Sequence, residues 1–298
     1  MTECGALCTS FDVVRHAGVS TTHPLLALPS TGFRLAVVCR RFRRQPRRMT
    51  LIGIARRSLA AALELGLPTS CGGCGSSGVS WCVMCADEAG HARHPGGARQ
   101  VCPTPSPVGF PPTWTASSYG AATRAALVAF KDDDRRDLVA VLAPMLSVAM
   151  AAALAGDPGL RAVLASGSGP VFVVPVPSSP AAVRRRGDAP LALLTRAAVR
   201  DLGLSEGELI VSPALRLRRR VADQAGLDHG QRADNLERAM QVQPRWRASI
   251  HGVTALLVDD VLTTGATLVE AARALSAGGA GHVAAATVAA TQRRGIPM

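Results

Sequence analysis

The hydrophobic pattern is most informative near the end of the chain, where residues 253–258 form an apolar run without the alternation of a half-exposed strand. Such a run predicts a strand buried on both faces, as in a parallel sheet. Residues 267–277 predict the helix that follows. The loop between them therefore lies at the carboxyl end of a strand and the amino end of a helix, where free backbone N–H groups and the helix dipole favour a phosphate.

The rest of the C-terminal region shows the same alternation of strands and helices. Strands are predicted at residues 115–119 and 171–176 before the apolar run and at residues 283–290 after it, and further helices are predicted at residues 121–130, 136–155 and 189–202. The alternation predicts a parallel, doubly wound α/β sheet across residues 113–298. Residues 49–68 predict a short helix that ends at Pro68. Residues 87–112, which are rich in Gly, Pro, Ala and Arg, predict a linker.

The loop after the apolar run carries groups that suit a sugar phosphate. Its hydroxyl donors and its glycine are Thr263, Thr264, Gly265 and Thr267. Two adjacent carboxylates, Asp259 and Asp260, are unfavourable beside a phosphate unless something pairs with them. Ribose hydroxyls can donate hydrogen bonds to these carboxylates, and a hydrated Mg²⁺ can offset their charge. The pattern predicts a ribose 5-phosphate site; the alternative is an ordinary strand-turn-helix with polar loop residues.

A cysteine module lies between the first helix and the linker, within residues 49–86. Cys71 with Cys74 and Cys82 with Cys85 form two C-x₂-C knuckles. Four thiolates around one tetrahedral ion make a closed structural zinc site, and metal binding would drive the folding of so small a module. The alternatives are a redox dithiol or a coincidental spacing of the cysteines. His91 and His94, just beyond the module, are expected to be exposed linker histidines.

Composition narrows the possible classes of protein. The formal charge is +12, and residues 1–48, with eight arginines and two acids, supply half of it. This segment is expected to be disordered, or to precede the true start at Met49; a basic arm is the alternative. The 3% aromatic content argues against a protein that stacks nucleic-acid bases on aromatic rings. The sequence shows no transmembrane segment and no signal peptide, so a cytoplasmic protein with reduced cysteines is expected.

A second polar loop follows the strand at 171–176. Ser178 and Ser179 lie at the carboxyl end of that strand, and a run of three arginines comes shortly after. The run is Arg184, Arg185 and Arg186. A polar turn backed by guanidinium groups suits a diphosphate, although each arginine could equally lie on a solvated helix face. Lys131, the only lysine of the chain, is a further candidate anion ligand. The basic segment 215–239 could form a flap over the site or a surface for a partner.

The motifs in this order resemble the ComF family, also called competence protein F-like phosphoribosyltransferases. The resemblance covers residues 49–294. Its matching pieces are the four cysteines, Tyr119-Gly120, Phe130-Lys131, residues 174–177, Arg186-Gly187, Gln224 with Arg232 and Asn235, and residues 257–267. The chain departs from the family pattern Arg-Gly-Phe-Asn-Gln, because it has Asp188-Ala189-Pro190 after Arg186-Gly187. Three acids, Asp132, Asp133 and Asp134, also follow the lysine.

The resemblance implies a type I phosphoribosyltransferase fold with an N-terminal zinc ribbon, binding of phosphoribosyl pyrophosphate (PRPP) with Mg²⁺, and a link to natural transformation. In the implied site, the 5-phosphate is held by Thr263, Thr264, Gly265, Ala266 and Thr267. One hypothesis is an enzyme that transfers the phosphoribosyl group to an unidentified acceptor such as a nucleobase, in which Asp259 and Asp260 hold the ribose. The other is a PRPP- or nucleotide-sensing adaptor that contacts DNA or a helicase-like partner.

Overall fold

A computed structural model describes residues 70–178, 183, 187–205, 207–218 and 238–291. Several sequence predictions lie outside these residues. They are the basic segment 1–48, the helix at 49–68, most of the possible flap, the motif residues Gln224, Arg232 and Asn235, and the side chains of Ser179, Arg184, Arg185 and Arg186.

The described residues form seven α-helices and eight strands. The helices are α1 Val83–His91, α2 Ala121–Asp132, α3 Val139–Gly156, α4 Pro158–Ser166, α5 Pro190–Leu202, α6 Arg247–Ile250 and α7 Ala266–Ala277. The strands are β1 Arg99–Val101, β2 Thr113–Ser118, β3 Val171–Pro175, β4 Leu209–Val211, β5 Leu215–Leu217, β6 Met240–Val242, β7 Thr254–Leu262 and β8 His282–Ala290.

Six of the strands form one sheet in the order β1-β2-β8-β7-β3-β4, and β5 pairs with β6 in a separate hairpin. Every pair in the large sheet is parallel except β1 with β2. This mostly parallel sheet confirms the predicted α/β class. It also places the carboxyl ends of β3 and β7 side by side, because Pro175 lies opposite Val258 in their register.

Both faces of the sheet are covered, which explains why its central strands are continuously apolar. All five residues of β3 are buried, as are Ala255 to Val258 of β7. The core on one face combines Leu256 and Val258 of β7 with residues of α2, α3, α4 and α5. The core on the other face combines Ala255 and Leu257 with residues of α7, α6 and the β5–β6 hairpin. Alternation along residues 255–258 therefore sends successive side chains to different layers.

Helix α3 is a core element despite its composition. The helical stretch Arg136–Gly156 is long and apolar enough to cross a membrane, but 56% of its most apolar window is buried inside the fold. Leu142, Leu146 and Met150 of α3 are fully buried in the first core. The apolar length of this helix is thus accounted for by its packing against the sheet and α5.

Residues 87–112, predicted as a linker, are instead integrated into the fold. Helix α1 continues to His91, and β1 pairs antiparallel with β2, with Gln100 opposite Trp114. The sequence could not indicate β1, because the three residues of this edge strand have no buried member. Backbone pairing with β2, rather than an apolar pattern of its own, holds the segment against the sheet.

Candidate functional site

The candidate phosphate loop joins β7 to α7 at the carboxyl edge of the sheet. β7 extends to Leu262, so the acid pair belongs to the strand, whereas the sequence analysis ended the strand at residue 258. Pairing with β8 continues past that point, with Asp259 opposite Thr287. The loop is therefore reduced to the three residues between Leu262 and Ala266.

The loop and the first turn of α7 bring the predicted phosphate ligands together. Thr263 is exposed, Thr264 is buried, and Thr267 is half-buried. Thr264 Oγ1 accepts the Ala266 N–H at 3.3 Å, and the Gly265 carbonyl accepts a later N–H of α7. The first N–H groups of a helix lack intrahelical partners, and they carry the positive end of its dipole. The arrangement is thus suited to an anion that approaches the amino end of α7.

Gly265 is required at its position for two reasons. Its φ of +82° is a left-handed conformation that side chains rarely adopt. A Cβ atom there would also lie 2.8 Å from Cε2 of Phe110 and 3.2 Å from Cγ of Pro103. The segment that was predicted as a linker therefore packs directly against the phosphate loop.

The two adjacent carboxylates lie side by side at the end of β7. Asp259 is only 9% exposed, and its Oδ1 accepts the Asp260 N–H at 2.9 Å. Asp260 faces Lys131 of α2, and its Oδ1 accepts the Val261 N–H at 3.0 Å. Each carboxyl thus bonds to the backbone of the next residue, which fixes its direction at the sheet edge.

Lys131 supplies a cation to the acid pair. Its Nζ lies 3.0 Å from Oδ2 of Asp260, 129 residues away along the chain, while 55% of the lysine side chain stays exposed. The charge of Asp260 raises the pKa of Lys131 although burial opposes this shift. The structure therefore places Lys131, at the end of α2, against a carboxylate of the candidate site.

The two carboxyls have different proton affinities. Burial, and then the charge of Asp260, raises the pKa of Asp259 well above its usual range. Burial alone would also raise the pKa of Asp260, but the Lys131 ammonium outweighs it, so this pKa is lowered. Asp259 therefore holds a proton more tightly than Asp260, whose charge is balanced by Lys131.

The second polar loop begins at the same sheet edge. Ser178 is half-buried just beyond the end of β3, which is the neighbour of β7. Further along the chain, the Asp188 carboxylate accepts hydrogen bonds from Nε and Nη2 of Arg136, both at 2.8 Å. Arg136 also donates to the Phe130 carbonyl and forms an ion pair with Asp134 at 2.6 Å. The residues after Arg186 are thereby linked to the turn that follows Lys131 at the end of α2.

Sequence analysis missed the pairing of Arg136 with Asp188. These residues are 52 positions apart, and no short motif contains both. The available signal was chemical: an acid, Asp188, follows a run of arginines, and a run of acids and arginines follows Lys131. An acid and a distant arginine are compatible with an ion pair, but only the fold shows that they meet.

The C-terminal part of the chain is similar to a known protein family. Residues 214–297 match the family model of the phosphoribosyl transferase domain. The matched segment includes the acid pair, the loop and α7. The match supports a phosphoribosyltransferase-type protein that binds PRPP. None of the curated proteins matched the chain.

The four cysteine sulfurs of the predicted module converge. All four Sγ atoms of Cys71, Cys74, Cys82 and Cys85 lie within 4.8 Å of one another, and those of Cys74 and Cys82 are 3.6 Å apart. A tetrahedral ion with Zn–S bonds of about 2.3 Å needs sulfurs about 3.8 Å apart, so the cluster fits zinc. Backbone N–H groups support it, because Gly73 and Cys82 both donate to Cys71 Sγ, at 3.4 and 3.3 Å.

Other candidate ligands lie apart from this cluster. Cys102 is exposed and bonds to Ser106 Oγ. His91 is exposed, as predicted, and bonds to Asp87. The prediction was wrong for His94, which is 6% exposed, because the segment around it pairs with β2 through the Ala116 carbonyl. Burial, with a contribution from Arg99, lowers the pKa of His94.

The cysteine module contacts both ends of α2. Glu88 Oε1 of α1 accepts the Ala122 N–H at 3.0 Å, which caps the first turn of α2. Gly72 packs so closely on Leu138, beyond the other end, that a Cβ atom would lie 2.6 Å from its Cδ1. The module therefore supports the helix that presents Lys131 to Asp260.

Proposed function

We propose that the protein is a ComF-type phosphoribosyltransferase of the cytoplasm that binds Mg²⁺-PRPP and acts in natural transformation. The observation that carries the proposal is the pair Asp259 and Asp260 at the end of a buried parallel strand, directly before a hydroxyl-rich loop at the amino end of α7. A phosphate-binding helix end beside two carboxylates matches the two halves of a ribose 5-phosphate group.

The proposed site divides PRPP among three groups of residues. The 5-phosphate binds to Thr263, Thr264, Gly265, Ala266 and Thr267. The ribose hydroxyls donate to Asp259 and Asp260. The pyrophosphate faces Ser178, Ser179 and the arginines at 184–186. In the reaction, a lone pair of the acceptor, for which a nucleobase nitrogen is the proposed source, forms a bond to the anomeric carbon. The bond from that carbon to the pyrophosphate oxygen breaks, pyrophosphate leaves with its electrons, and the acceptor releases its N–H proton to solvent.

The protein contributes positioning and charge to this displacement. Carboxylate oxygens suit Mg²⁺, which when bound would offset the charge of the pyrophosphate. Because Lys131 already neutralises Asp260, the acid pair has little excess charge to attract a metal by itself. We therefore expect Mg²⁺ to enter with PRPP rather than before it.

Calorimetric titration of PRPP into the full chain tests the proposal. We expect micromolar binding that requires Mg²⁺ and that is lost in the double variant Asp259→Asn with Asp260→Asn. Asp201→Asn, an exposed acid of α5, serves as the matched control and should bind like the wild type. Unchanged PRPP affinity in the double variant would show that the acid pair is not the ribose site.

A second candidate function is an adaptor that senses PRPP or a nucleotide without turnover and contacts DNA or a helicase-like partner. The ion pair of Asp188 with Arg136 favours it, because it occupies a position where the family pattern has an aromatic followed by two amides. Pyrophosphate release with PRPP and a mixture of nucleobases distinguishes the two candidates. Turnover supports the enzyme; PRPP binding without turnover, together with salt-dependent DNA binding, supports the adaptor.

A further inference from the structure

A buried hydroxyl at the centre of the sheet lacks a hydrogen-bond partner. Thr287 of β8 is fully buried, and its Oγ1 is one of five buried polar side-chain atoms without a partner in the described part of the chain. Most buried hydroxyl groups in proteins are paired, because an unpaired one has lost its water without replacement. A valine would fill the same space without that cost. The retained hydroxyl therefore calls for an explanation.

The position of Thr287 connects it with the proposed ribose site. It lies directly opposite Asp259 in the parallel register of β8 and β7. Residues in register on adjacent strands project to the same face of a sheet, here the face that α7 covers. Neither Thr287 nor any other side-chain hydroxyl in the described residues donates to Asp259, whose Oδ1 accepts a backbone N–H from Asp260.

A second threonine in the same row provides a comparison. Thr115 of β2 lies opposite Thr287 on its other side, so that Thr115, Thr287 and Asp259 form one polar row across three strands. Thr115 is also fully buried, but its hydroxyl donates to the Ser117 carbonyl at 3.3 Å. The two threonines share residue type, burial and face, and they differ in whether the fold already uses the hydroxyl.

We propose that Thr287 is a positioning residue of the ribose site, whose hydroxyl donates to the Asp259 carboxylate when PRPP is bound. This inference rests on the proposed function. A carboxylate has room for several donors, so Asp259 can accept the threonine hydroxyl while ribose hydroxyls bind to its remaining lone pairs. The bond forms when the ribose hydroxyls bind to Asp259, because the carboxyl group is then ionised and oriented toward the ligand. Thr287 thereby fixes the direction of Asp259 without touching PRPP itself.

The variant Thr287→Val separates this role from a structural one. In the free protein the hydroxyl has no partner, so we expect an unchanged or higher melting temperature. In the complex a bond to a charged group is lost, so we expect PRPP affinity to fall by about tenfold. Thr287→Ser, which keeps the hydroxyl, should restore most of the affinity. A structural role would instead lower stability and leave the affinity per folded molecule unchanged.

The matched control is Thr115→Val, which removes a hydroxyl that the fold uses. It should lower the melting temperature and leave PRPP affinity at the wild-type value. If wild-type protein binds PRPP and Thr287→Val binds it equally well, the positioning role is overturned and the proposed function stands. If Thr287→Val is markedly destabilised, its hydroxyl is part of the fold and the inference also fails. If wild-type protein binds no PRPP, the proposed function and this inference fail together.

Discussion

The cysteine cluster and the sheet-edge site are built in different ways. The four cysteines of the cluster all come from residues 71–85, as do the N–H groups that bond to their sulfurs. The sheet-edge site joins Lys131 to Asp260 across 129 residues and Arg136 to Asp188 across 52. A local site can be inferred from spacing alone, whereas an assembled site requires the topology of the whole sheet.

The two sites also differ in how their negative charge is balanced. Burial would raise the pKa of Cys71, but backbone N–H groups of Cys74, Cys82 and Gly73 lower it to about 6. Burial, and then the neighbouring cysteines, raises the pKa of Cys85. The four sulfurs can therefore all become thiolates only when a cation from solution balances their charge. The acid pair has an internal cation, Lys131. The comparison predicts that the module needs its metal to fold, while the sheet edge is stable without one.

The largest expected effect comes from removing one cysteine ligand. Cys71→Ser should abolish stoichiometric zinc binding and unfold the module, because metal binding in such modules contributes about 10–16 kcal/mol of apparent free energy in isolated peptides. PRPP affinity should change by less than about tenfold, since the module reaches the site through α2, as in the contacts of Glu88 with Ala122 and of Gly72 with Leu138. Metal analysis, limited proteolysis and PRPP titration measure the three quantities.

Cys102→Ser is the control for this experiment, because Cys102 is exposed and lies outside the cluster. It should keep one zinc per chain and wild-type resistance to protease. Complete loss of PRPP binding in Cys71→Ser would contradict the separation of the two sites and show that the module is needed to position α2.

The next effect tests the close packing of the phosphate loop. Gly265→Ala should lower the free energy of unfolding by about 2–4 kcal/mol, because it combines an unfavourable left-handed conformation with a clash against Phe110. Gly252, with φ of +74° and open space around it, provides the matched control. Gly252→Ala should cost only about 1–2 kcal/mol. PRPP binding should be lost only in Gly265→Ala; equal affinity in both variants would argue against a phosphate at this loop.

Asp259→Asn should stabilise the free protein in a pH-dependent manner. The pKa of Asp259 is raised in the folded state. This carboxyl therefore contributes fully to the free energy of unfolding at a pH below its pKa in the unfolded chain, about 3.9. The contribution is lost as the pH rises through its pKa in the folded protein. The advantage of the variant should therefore grow between pH 4.5 and 8 in urea unfolding. Asp201→Asn should show no such growth. A constant difference across this range would mean that Asp259 folds in its ionised form.

Much of the fold could be predicted because its central elements are long and apolar. The predicted strand at 171–176 and helix at 267–277 correspond to β3 and α7 within one residue. The strands β4, β5 and β6 were missed because each has three residues and is defined by pairing rather than by pattern. Helix α4 was also missed, although Asp157 as its N-cap and Pro158 at its start are recognisable signals.

The candidate site could be predicted only in its contiguous part. The order of Asp259, Asp260 and the loop was visible because strand, turn and helix follow one another. The approach of Phe110 to Gly265 was not visible, since residues 87–112 have the composition of a linker. The pairing of Lys131 with Asp260 was likewise inaccessible, because it depends on which layer each face of β7 meets.

The smallest expected effect concerns the ion pair of Arg136 with Asp188. Its side chains are 21% and 39% exposed, so solvent weakens the interaction, although the two parallel bonds favour it. In a double-mutant cycle with Arg136→Gln and Asp188→Asn, we expect a coupling free energy of about 0.5–1 kcal/mol.

Arg136→Gln alone should lower the free energy of unfolding more than Asp188→Asn alone, because Arg136 also binds the Phe130 carbonyl and Asp134. Arg135→Gln, which breaks the local pair with Asp137, should show no coupling to Asp188. A coupling near zero for Arg136 as well would mean that this ion pair does not hold the loop after Arg186 against the turn. The sheet-edge site would then depend less on distant side chains than its comparison with the cysteine cluster implies.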